Sequence, residues 1–182
     1  MEKSLKELLQ EVERARLEFL GATKGLSAKQ ASWKPDDQTW SVIDNVEHLF
    51  WAELGGINGM WKTLEAVLRN QPVYTGVAIH EGLPIEKIVE MTWKPKEQVP
   101  EIAKPRWGGS LSYWVAALSN LQLLLTNLTE AMGGADLKKI IHPHPISGPI
   151  NIIQRFEFLR FHMNRHQKQI ENLKQYPGFP KE

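Results

Sequence analysis

A chain of 182 residues that is 42% hydrophobic and carries a net charge of +1 holds enough apolar material for one domain with its own core. Its Lys and Arg are spread along the chain without the basic stripe that grips nucleic acid, and no apolar run approaches the roughly 20 residues of a membrane span. The absence of cysteine removes disulfides, thiolate ligands and a cysteine nucleophile together, so a metal must be held by His, Asp, Glu or backbone groups, and any thiol must come from a small molecule.

The N-terminal segment MEKSLKELLQEVERA is charged and amphipathic and lacks the apolar core of a signal peptide, so the protein is expected in the cytoplasm. A first helix is expected over residues 4–19, where Leu5, Leu8, Leu9, Val12, Ala15 and Phe19 recur at helical spacing. Gly21 and Gly25 stand where glycine ends a helix. Residues 25–41 show no helical period and read as an ordered connector pinned by Trp33 and Trp40. Most of the seven tryptophans read as core and loop anchors.

Ser41 is an N-cap, with Asp44 in the place of the capping acid, and it opens a second helix over residues 42–69. Val42, Ile43, Val46, Leu49, Phe50, Leu54 and Ile57 form its apolar stripe. Gly55, Gly56 and Gly59 lie inside it, each at a cost of up to ~1 kcal/mol relative to alanine. Close helix contact, space for a ligand or a kink is expected to account for them.

Over residues 70–109 five prolines break the pattern. A short helix fits between 84 and 92. The stretch is too long for an idle connection and reads as a lid, a wall over a site or a partner surface. A third helix follows from 110 or 112 to 132, with Leu111, Trp114, Val115, Leu118, Leu121, Leu125 and Leu128 as its stripe, and Gly133 and Gly134 end it. Residues 135–149 hold three prolines and read as an extended loop. The last helix is expected over 150–173, and the tail from Gln175 is expected to fray. Four long amphipathic helices with few strand signals and no repeat make an all-α fold, a helical bundle in one domain spanning 1–182.

The last of these helices contains FLRFHMNRHQKQI, residues 158–170, with His162 and His166 at i and i+4. That spacing stacks both side chains on one helix face, Cβ atoms about 5–6 Å apart, within reach of a single metal ion. His48 lies beside the apolar stripe of the second helix, and Ala52 and Gly55, at i+4 and i+7, leave room above its ring. All three are expected to be partly buried, and a buried imidazole needs either a metal or a hydrogen-bond partner. As a metal site, three neutral imidazoles suit Zn2+ or Ni2+, with Fe2+, Co2+ or Mn2+ as alternatives, and leave an open position of the catalytic type. A metal there would lower the pKa of a bound water or thiol, or polarise a carbonyl.

Met163 and Asn164 follow His162, so the glutamate base of an H-E-x-x-H motif is missing, and no general base is identifiable. His142 and His144 alternate with proline, which suggests a rigid loop first and a contribution to the site second. His80 has no assigned role. Glu47 points about 100° away from His48 on the helix and is expected to be solvated or salt-bridged. Asn45, Asn164 and Gln169 are polar helix residues placed to orient the histidines.

Three stretches carry a family resemblance: SWKPDDQTWSVIDNVEHL (32–49), HPHPISGPIN (142–151) and FLRFHMNRHQKQI (158–170). Together they resemble the DinB-like superfamily, whose members are taken to be metal-dependent enzymes. Order and spacing agree over nearly the whole chain, while residues 71–109 have no distinctive counterpart. The resemblance implies a four-helix bundle, often a homodimer, with a metal on His48, His162 and His166. It implies a metal-dependent transferase or hydrolase acting on a small molecule. Some relatives activate a low-molecular-weight thiol, as S-transferases or thiol-dependent isomerases, and others have no known reaction, so the substrate does not carry over. A non-catalytic binding or stress-response module is the competing expectation.

Overall fold

The computed structural model describes residues 3–93 and 98–181. In chain order its elements are α1 (Leu5–Gly21), α2 (Ala28–Ser32), α3 (Val42–Leu68), α4 (Ile85–Thr92), a 3-10 turn (Glu101–Ala103), α5 (Leu111–Ala131), the strands β1 (Ile141–His144) and β2 (Gly148–Asn151), and α6 (Ile152–Lys174). The structure is therefore mostly helical, with one small antiparallel ribbon among the described residues. No helix among those residues is long and apolar enough to cross a membrane.

The four long helices follow from their caps and stripes. Ser4 with Glu7, Ser41 with Asp44 and Asn151 with Gln154 each form a reciprocal capping box at the start of α1, α3 and α6. Each of these helices packs on two others: α1 on α5 and α6, and α3 on α5 and α6. Leu8, Phe19, Ile57, Met60, Trp114, Leu125 and Phe156 lie fully buried between them. Within this apolar core Arg16 pairs with Glu53 and also donates to Gln122, tying α1, α3 and α5 together. Burial raises the pKa of Glu53, and the charge of Arg16 opposes that shift.

Three expectations change. The connector over residues 25–41 contains α2, a helix of 5 residues opened by a capping box of Ser27 and Gln30. It is too short to display a period. The tail beyond Gln175, expected to fray, packs back on this connector: Phe179 meets Trp33 edge to face at 5.5 Å, and Gln30 Nε2 donates to the Pro180 carbonyl at 3.0 Å. The third is the expected loop over 135–149, which contains β1 and the start of β2. Ile141 pairs with Asn151, His142 with Ile150, Pro143 with Pro149 and His144 with Gly148. A two-stranded ribbon is all edge, where proline is tolerated, so the prolines that argued against strand do not prevent it. Gly148 takes φ 73°, a left-handed conformation that glycine adopts without strain.

The region between α3 and α5 builds one wall of the molecule. Ile85, Ile88 and Val89 of α4 pack with Ile150 and Phe158 in a second apolar cluster. His80 is buried and its Nε2–H donates to the Ser147 carbonyl at 2.9 Å, while Gln154 Nε2 donates to the His80 carbonyl at 2.6 Å. His80 thus has a structural role, fastening the wall to the ribbon. Pro95 and the rest of 94–97 lie outside the described residues.

Candidate metal centre

The capping box at Ser41 sets where α3 begins, and so sets Asn45 and His48 on the face turned to α6. Asn45 Nδ2 donates to the Ser41 carbonyl at 2.8 Å. That bond orients the amide, leaving Oδ1 to accept the Nδ1–H of His166 at 2.8 Å. His48 donates its own Nδ1–H to the Ala103 carbonyl at 2.8 Å. In both rings the proton is therefore held on Nδ1, and the Nε2 lone pair faces inward.

Those lone pairs converge on His162. His48 Nε2 lies 3.2 Å and His166 Nε2 lies 3.1 Å from His162 Nε2. A tetrahedral ion with bonds of about 2.0–2.1 Å spaces its ligand nitrogens by about 3.3–3.4 Å, close to these separations. One proton on His162 can serve one neighbour at full strength, whereas a cation serves all three nitrogens. His48, His162 and His166 are therefore buried together and close enough to hold a metal.

Burial also sets their protonation. It drives the pKa of His48 down to about 4, helped by the charge of Arg165 and opposed by the bond to Ala103. Burial holds His162 and His166 well below the ordinary histidine range, and the neighbouring imidazoles push the same way. All three are neutral at pH 7, the form that ligates metal.

The centre opens into a cavity of about 660 Å³, the size of a small-molecule pocket. Trp40 lies 4.8 Å from the His48 ring and stacks over His166 at 6.1 Å, while Trp93 and Phe158 flank His162 at 6.2 and 5.3 Å between ring centroids. Ala52 and Gly55 line the cavity, as their small size above His48 led one to expect.

The other singled-out residues divide. Asn45 holds His166, and Gln169 lines the cavity, whereas Asn164 lies outside the lining. His142 and His144 both line it. His144 Nδ1 accepts from the backbone N–H groups of Ile146 and Ser147 at 3.2 and 2.9 Å, closing the ribbon's turn. Burial lowers His142 to about 4 and His144 to about 2, with the charge of Arg155 adding to both.

Glu47 corrects the expectation of a solvated or salt-bridged side chain. It is fully buried and accepts backbone N–H bonds from Arg106, Trp107 and Gly108 at 2.7, 2.8 and 2.9 Å. Burial raises its pKa, but these bonds and one from Trp51 outweigh that and leave it lowered. The segment that Glu47 pins begins three residues after Ala103, which holds His48. Adjacent residues of α3 thus grip the same segment. Neither the Ala103 carbonyl nor this role of Glu47 is visible in local sequence, since both partners lie more than 50 residues away.

Two of the three interior glycines of α3, Gly56 and Gly59, are explained by side chains that approach its backbone. A Cβ at Gly56 would overlap the guanidinium of Arg155, and one at Gly59 would overlap the ring of His142. Arg155 also went unnoticed in the sequence; the glycines signalled a close approach without saying by what.

Comparison with known proteins agrees with this geometry. The family model described as DinB superfamily matches residues 11–170. The chain belongs to the DinB superfamily. The matched span of this DinB superfamily protein contains all three converging histidines and the ribbon. The chain is also 24% identical over 162 residues to a Bacillus subtilis (strain 168) protein named Uncharacterized protein YuaE, an alignment covering 88% of this chain and 93% of that one.

Proposed function

We propose that this DinB superfamily member is a divalent-metal enzyme of the cytoplasm, a transferase or hydrolase for a small molecule, built as one four-helix-bundle domain of the DinB-like type. His48, His162 and His166 are its ligands, and Zn2+ or Ni2+ is the ion that suits them best. The observation that carries this reading is the convergence of three Nε2 atoms while the Nδ1 protons of two of the rings are tied to Ala103 and Asn45. Hydrogen-bonded imidazoles of this kind are the usual support of metal-ligating histidine.

Bound there, the ion would act as a Lewis acid on a substrate atom in its open position. The protein's own residues do the rest. Asn45 and the Ala103 carbonyl keep two rings in the ligating tautomer, and Trp40, Trp93 and Phe158 shape an apolar chamber in front of them. No carboxylate lines that chamber among the described residues, so no side chain there stands as an obvious general base.

The second reading is thiol transfer or thiol-dependent isomerisation. It comes from the family resemblance; since the chain has no cysteine, the nucleophile would enter with a low-molecular-weight thiol, and the chamber has the volume to admit one. A homodimer is the assembly that the family resemblance implies. Activity screens of metal-loaded protein, with ester and amide hydrolysis in one panel and S-transfer from small thiols in another, test the enzymatic claim. Turnover that disappears in His162→Ala, with the helical circular dichroism retained, is the expected result. Turnover that persists in metal-free His162→Ala would remove the metal from the reaction. Absence of turnover in both panels from a metal-replete protein would favour a non-catalytic binding module.

A further inference from the structure

Arg155 is a buried cation with no counterion among the described residues. It is 4% exposed, and its Nε and Nη1 have no hydrogen-bond partner. It lies in the first turn of α6, a turn that contains no acidic residue, so the positive end of the helix dipole adds to its charge instead of offsetting it. An uncompensated buried charge costs folding free energy, so its retention calls for a reason outside the fold.

The surroundings supply one. Arg155 lines the same cavity as the three histidines, and Gly56 is the cradle that lets its guanidinium lie against α3. Its Cζ sits 5.1 Å from the ring of Phe158, whose other neighbours include His144 at 4.4 Å and His162 at 5.3 Å. Along α6 Arg155 precedes His162 by two turns, about 10 Å of axial rise. The charged side chains that line the cavity among the described residues are Arg155 and Arg165, both cationic. The flanking imidazoles of His142 and His144 are neutral and cannot balance them.

We propose that Arg155 is an anion-recognition residue, receiving the carboxylate or phosphate of a small organic substrate whose reactive group lies against the three histidines. This rests on reading the cavity as the substrate chamber and deepens that reading by naming the substrate class. A guanidinium offers a planar fork of donors that matches a carboxylate or phosphate, and in a desolvated, aromatic-walled chamber such a pair gains both strength and orientation. Fixing one end of the substrate at Arg155 would leave its other end to reach the histidines.

The test uses the tryptophans of the chamber as fluorescent reporters. Benzoate, phenyl phosphate and the uncharged benzamide are titrated into metal-replete protein, into chelator-treated protein and into Arg155→Gln and Arg155→Lys. The proposal expects an anionic probe to bind about tenfold or more tightly than benzamide. That preference should survive chelation, vanish in Arg155→Gln at unchanged metal content and with no loss of melting temperature, and persist in part in Arg155→Lys. Tighter binding of benzoate assigns a carboxylate substrate, and tighter binding of phenyl phosphate assigns a phosphorylated one. Equal binding of charged and uncharged probes, failure of every probe to bind, or an anion preference kept in Arg155→Gln would each overturn it. Loss of metal without loss of anion preference, as expected in His162→Ala, separates failure of the metal reading from failure of this one.

Discussion

The imidazole of His166 and the amide of Asn45 meet at 2.8 Å across the interface of α6 and α3, and that bond decides which nitrogen of His166 faces the centre. Removing it frees the ring to rotate or to change tautomer. Asn45→Ala is expected to weaken Zn2+ binding about 10- to 100-fold while the protein remains folded. Asn45→Asp retains an acceptor and should recover most of the affinity. Competition against a chromophoric chelator at pH 7 reads both.

Glu47 makes the comparable prediction for the neighbouring histidine. Substitution by alanine would leave the N–H groups of Arg106, Trp107 and Gly108 without their acceptor, at a cost on the order of 3 kcal/mol. The loosened segment carries Ala103, so metal affinity should fall together with the melting temperature. The pH dependence has a definite sign. The folded pKa of Glu47 is lowered, so its contribution is complete above the unfolded value of 4.5 and is lost as pH falls through the folded value. Acid denaturation of Glu47→Gln followed by tryptophan fluorescence should lack this component.

Histidine titration acts over a higher window. His48 and His142 have folded pKa values of about 4 against 6.5 when unfolded, so the unfolded chain takes up protons that the folded protein refuses. Their contribution to stability is complete above about pH 6.5, declines below it, and levels off under about pH 4. The melting temperature of chelator-treated protein should therefore drop between pH 7 and pH 4. A flat profile would mean that these rings are not buried as described.

The glycines of α3 separate packing from propensity. A Cβ at Gly55 meets nothing within 4 Å, so Gly55→Ala should stabilise the helix by up to ~1 kcal/mol. Gly59→Ala gains the same propensity but drives a methyl group into the His142 ring, and a net loss of about 1–2 kcal/mol is expected. Chemical denaturation of the two variants side by side measures the difference.

These residues also show what could be read in advance. Helices of 17 to 27 residues repeat their stripe often enough to be unmistakable, and the i, i+4 spacing of His162 and His166 survives any detail of packing. His48 was legible through its small neighbours and the resemblance. The short α2 offered no period, and the ribbon was hidden behind prolines that normally argue against strand. Ala103, Glu47 and Arg155 act through partners distant in sequence, and a backbone carbonyl that serves as acceptor leaves no signature in residue type at all.

Elemental analysis of untagged protein, beside His48→Ala and the double variant His162→Ala/His166→Ala, decides whether the three histidines hold a metal. A metal centre on these residues gives about one transition-metal ion per chain in the wild type, or one taken up on titration with Zn2+ or Ni2+, and none in either variant while the helical circular dichroism persists. Wild-type protein that is metal-free as purified and fails to take up either ion would contradict it, leaving the three histidines as a hydrogen-bonded cluster in a helical core.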